Sequence, residues 1–89
     1  MQTLQQIIDE RISFLKGQIN PQTNAEENKA FQWQIDAVRS AVADDIEKVE
    51  VIIMEKKELL KDSKDVYETD RLFAELKGLE WLQRLLLMS

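Results

Sequence analysis

The chain has 89 residues, a formal net charge of −5, 44% hydrophobic and 33% charged residues, two Gly, one Pro and no Cys or His. That balance fits one small domain of amphipathic helices and not a disordered chain. It excludes disulfides, thiolate chemistry and Cys-ligated metals, leaves Ser13, Ser40, Ser63 and Ser89 without a histidine base, and makes a poor partner for duplex nucleic acid, which rewards a basic face.

The first residues, Met1-Gln2-Thr3-Leu4, lack the basic and apolar regions of a signal peptide. No apolar run approaches the ~20 residues of a membrane span, so the expected location is the cytoplasm, with no membrane partner. The spacing predicts a first helix over 4–19. Thr3-x-x-Gln6 has the form of a capping box, and Leu4, Ile8, Ile12, Leu15 and Ile19 form one stripe. Phe14 lies at the edge of that stripe beside Ile7 and Arg11, Gly17 stands near the C-cap, and Asn20-Pro21 ends the helix.

A second, long helix is expected over 24–61, started by Thr23-x-x-Glu26 or Asn24-x-x-Glu27. Its apolar residues Phe31, Ile35, Val38, Val42, Ile46, Val49, Ile53 and Leu60 recur at steps of mostly three and four without Gly or Pro. At 1.5 Å per residue this helix would be roughly 57 Å long, so the rest of the chain must lie along it. Lys29 sits in its second turn, where it either pairs with Glu26 or meets an anion. Asp44-Asp45 interrupts the run, as an exposed edge or the place where one covering helix gives way to the other.

Asp62 to Asp65 is the next turn, and Asp65-x-x-Glu68 caps a third helix over 65–88 with Leu72, Leu76, Leu79, Leu82 and Leu86 as its stripe. Towards its end this helix is apolar nearly all round, which points to a self-association surface through Trp81, Leu82, Leu85 and Leu86. Gly78 inside it costs about 1 kcal/mol against Ala, so a close helix crossing is expected there. The whole, residues 1–89, reads as one all-α domain: a short N-terminal helix plus a long antiparallel helical hairpin, assembled as a homo-oligomer.

Little chemistry follows from the residues alone. Glu47-x-x-Glu50 and Asp65-x-x-Glu68 loosely match the acids of magnesium-dependent all-helical nucleotide pyrophosphohydrolases. Reversal near Ser63 would hold the two pairs over ~10 Å apart, too far for one octahedron. The expectation is therefore no metal, no cofactor and no catalysis. A helical adaptor that binds a host protein through the 79–88 surface is the other non-enzymatic reading.

The order of a short helix, a Pro-containing polar loop, a long helix and the closing run Tyr67-Glu68-Thr69-Asp70-Arg71-Leu72-Phe73-Ala74-Glu75-Leu76-Lys77-Gly78-Leu79-Glu80-Trp81-Leu82 resembles the small phage anti-CBASS sponge proteins. They share a helical hairpin domain with anti-Thoeris sponges. The resemblance implies a compact homo-oligomer, hexameric where described, that sequesters cyclic di- and trinucleotide signals of bacterial immunity without cleaving them. It implies a dinucleotide pocket with an aromatic ring late in the first helix and a lysine early in the next. Phe14 and Lys29 match these in order and spacing, with Arg11 and Asn28 as neighbouring ligand-binding candidates. The family's ring is typically a tyrosine, so Phe14 would keep stacking and lose a phenolic hydrogen bond. A second, trinucleotide site on a symmetry axis would fall to Tyr67 and Arg71.

Overall fold

The computed structural model describes residues 3–20, 22, 25–41 and 46–88, with the side chain of Glu26 left out. Among these residues there are four helices and no strand: α1 (Leu4–Gln18), α2 (Ala25–Ala41), α3 (Ile46–Asp62) and α4 (Val66–Met88). The expected caps Thr23 and Asn24, the Glu26 pairing of Lys29 and the Asp44-Asp45 step lie outside what is described.

Local signals set the ends that are described. Thr3 accepts a hydrogen bond from the Gln6 backbone N–H at 3.2 Å, and the Gln6 side chain accepts from the Thr3 N–H at 2.8 Å, so two otherwise unpaired donors of α1 are satisfied together. Gly17 remains inside α1, and Ile19 takes the C-cap position. Asp65 accepts from the Tyr67 N–H at 3.1 Å and starts α4. Between α3 and α4, Ser63 and Thr69 join their hydroxyls at 2.9 Å.

The segment expected as one helix over 24–61 is two, α2 and α3. A straight helix of roughly 57 Å would not fit a molecule whose longest extent is 41 Å. The organising element is instead α4, which packs on both α2 and α3, while α1 packs on α2. Tyr67 touches Trp33, and Gly78 faces Gln34 and Val38, so numbers rise together and α2 runs parallel to α4. The α3 partners of α4 run the other way from the short Ser63 turn. Ser63 meets Thr69, and Lys56, seven residues earlier, meets Glu75, six residues later.

This arrangement explains why α4 is apolar on so many sides. A helix flanked by two others needs two buried faces, and Leu72, Ala74, Leu76, Gly78, Leu79 and Leu82 are all buried in it. Ile8, Ala37, Val38, Ala41, Val49, Ile53, Leu76, Leu79 and Leu82 make one core cluster that draws on all four helices.

Gly78 marks the tightest crossing. A Cβ built there would stand 2.8 Å from the Gln34 carbonyl oxygen and 3.2 Å from Val38 Cγ2. The close approach expected from a mid-helix glycine is thus present, between α4 and α2. The molecule is a slab of 41 × 34 × 16 Å with a radius of gyration of 13.5 Å, above the ~12 Å of a compact chain of this length.

Candidate functional site

The parallel pair α2 and α4 leaves a groove of about 340 Å3 lined by Glu27, Ala30, Trp33, Gln34, Asp70, Phe73, Ala74 and Lys77. Its floor is shallow because Ala30 and Ala74 are small and Gly78 lets the two helices approach. At its edge the Trp33 and Tyr67 rings meet edge to face, centroids 5.3 Å apart, a geometry that fixes both rings through their quadrupoles. The Lys29 ammonium lies over the Tyr67 ring at 5.6 Å, within the range of a cation–π contact. Cation, two rings and a groove therefore adjoin one another.

Residues expected together are distributed differently. Phe14 is exposed and lies under the Arg11 guanidinium at 5.4 Å, and the same guanidinium lies 5.5 Å from the Trp81 ring. Lys29 contacts the Tyr67 ring, so Phe14 and Lys29 each belong to a cation–ring pair of its own. Asn28 turns its carboxamide to the α1–α2 connection, where it accepts from the Asn20 N–H at 3.1 Å and donates to the Asn20 carbonyl at 2.7 Å. That clasp is a structural use of a residue the resemblance would put on a ligand.

Tyr67 and Arg71 also part company. Arg71 pairs with Glu75 at 3.3 Å, and Glu75 takes Lys56 at 3.0 Å. These three side chains border a second cavity of about 240 Å3 between α2, α3 and α4, with Asp36 and Ser40. With two cations on one carboxylate, Glu75 answers one of the two positive charges.

Of the expected interface residues, Leu82 is only 1% exposed and belongs to the core, so it has no surface to offer a partner. Trp81, Leu85 and Leu86 are partly buried against that core. The apolar surface shifts to Leu87 and Met88, 64% and 79% exposed, which with Ile7, Trp81, Arg84 and Leu85 line a groove of about 560 Å3 at the α1–α4 end.

Sequence reasoning overlooked Trp33, Gln34, Phe73 and Lys77 as site residues. The available signal was Gln34, a polar residue on the same helix face as Phe31, Ile35 and Val38, and in the structure it is the one buried polar residue among those described. Among the described residues no group of three or more acids converges as a metal site. No helix there is long and apolar enough to cross a membrane.

Fold and site together define a small all-helical protein that carries two clusters of cation and aromatic ring among its described residues. No family model, curated protein or solved structure matches the chain.

Proposed function

We propose that this protein is a non-catalytic binding protein that captures cyclic di- or trinucleotides, acting in a bacterial host's cytoplasm as a phage anti-defence sponge and assembling as a homo-oligomer, a hexamer by analogy with the family it resembles. The observation that carries the reading is the Lys29–Tyr67–Trp33 cluster beside the α2–α4 groove. Rings held at fixed angles give a base a stacking face, worth ~1–3 kcal/mol per base, and an ammonium over one ring meets the phosphate that follows. The Arg11 cluster with Phe14 and Trp81 offers the same combination a second time. Repetition by symmetry supplies the several cations that a net charge of −5 does not provide in bulk.

Oligomerisation rests on area. The folded chain exposes 6180 Å2, about 800 Å2 more than the ~5,400 Å2 of a compact monomer of this mass. An excess of that size on each of two copies equals one standard interface of about 1,600 Å2.

Calorimetric titration with a panel of cyclic di- and trinucleotides tests the reading. Saturable binding is expected, with ligand recovered intact, and Tyr67→Ala or Lys29→Ala each weakening it by about tenfold. Absence of binding by every ring overturns it.

A second reading is favoured by the exposed Leu87 and Met88 groove. There the protein would be a helical adaptor that docks a host protein on the α1–α4 end. It requires that face free in the isolated chain, whereas the sponge reading covers it with another copy.

A further inference from the structure

We propose that the groove between α2 and α4 is a purine-base site that selects adenine, with Gln34 reading the base edge and Trp33 and Phe73 bearing its faces. The inference deepens the cyclic-nucleotide reading by naming the base, and it rests on that reading for the rest of the ligand.

Gln34 is 4% exposed, lines the groove, and its carboxamide makes no hydrogen bond to another described residue. No side-chain nitrogen or oxygen sealed from solvent lacks a partner among the described residues, so the Gln34 amide atoms keep some contact with solvent. A nearly buried carboxamide that still reaches a groove suits a ligand that supplies both a donor and an acceptor.

Adenine does so. A carboxamide donates to N7 and accepts from the N6 amino group in a bidentate pair, whereas guanine presents two acceptors on the same edge and leaves the Gln oxygen facing one of them. The surroundings suit a flat neutral base. Trp33 is oriented by Tyr67, Phe73 lines the groove and is 58% exposed, and the small Ala30 and Ala74 lie between them in the lining. Glu27 and Asp70 in the lining repel a phosphate, which directs the ligand's charge to Lys77 in the same groove and to Lys29 beside Tyr67. A partner helix laid in the groove would instead bury the carboxamide against apolar side chains and leave it unsatisfied.

The test titrates the intact protein with cyclic di-adenylate and cyclic di-guanylate, and records saturation-transfer NMR on adenosine and guanosine 5′-monophosphate. The parent should prefer the adenylate ring by about tenfold, and Gln34→Leu should erase that preference by weakening the adenylate alone. Circular dichroism checks the fold, and Gln34→Met, of similar length and also without hydrogen-bonding groups, replaces the leucine variant if helicity is lost. Equal affinity for the two rings in the parent, or an adenylate affinity unchanged by both substitutions, overturns the base site and leaves cyclic-nucleotide capture standing. If neither ring binds but adenosine monophosphate saturates in a Gln34-dependent manner, capture falls and the base site stands. If nothing binds, both fall.

Discussion

The two glycines of this chain are in helices and have opposite consequences. At Gly78 an added methyl meets the Gln34 carbonyl at 2.8 Å, whereas at Gly17 it meets nothing within 4 Å. Alanine is worth about 1 kcal/mol over glycine inside a helix, and forcing a methyl against backbone costs typically 1–3 kcal/mol. Gly17→Ala is therefore expected to stabilise the protein by about 0.5–1 kcal/mol, and Gly78→Ala to lose up to about 2 kcal/mol once the helical gain is subtracted from the strain. Urea denaturation of both variants checks the signs, and two changes of the same sign would contradict the crossing described here. The Gly78 approach was legible from sequence because a glycine amid good helix formers needs a reason. Gln34 was not legible as a site residue, since a polar residue on an apolar stripe gains meaning only when the facing Ala74 and Gly78 of α4 are known.

At the scale of elements, the short-range signals held and the long-range one misled. Thr3 with Gln6 forms the expected box, and Asp65 starts α4 through the Tyr67 N–H instead of the expected box with Glu68; each signal involves residues two to three apart. The division between α2 and α3 was obscured because the apolar period continues through Val42 and Ile46, and only Asp44-Asp45, of the residue type that favours a helix start, stood against it. The sequence reading also assigned Trp81, Leu82, Leu85 and Leu86 near the end of α4 to other copies, and of these Leu82 is buried in the core of the single chain. Leu82→Ala should therefore cost about 2–5 kcal/mol, as for any buried leucine, whereas Leu87→Ala should stay within about 0.5 kcal/mol. Thermal unfolding of the two variants side by side separates them, and equal losses would mean that the end of α4 is also core.

For the whole molecule, a slab 16 Å thin has too much surface for its volume, and Leu87 with Met88 forms one exposed apolar part of it. Leu87→Asp combined with Met88→Asp is expected to shift the protein to monomer in sedimentation equilibrium while its helicity stays constant. A parent chain that is already monomeric at high micromolar concentration would remove the oligomer and return that face to the adaptor reading. The parallel run of α2 and α4 also has a consequence in time. Residues facing each other across it, such as Trp33 and Tyr67 or Gln34 and Gly78, lie far apart along the chain, while α3 and α4 meet through the short Ser63 turn. Closing the short loop is entropically cheaper than closing the long one, so the α3–α4 hairpin should form before α2 docks. Gly78→Ala, which strains the late contact while favouring the early helix, should then accelerate unfolding without slowing refolding in stopped-flow experiments.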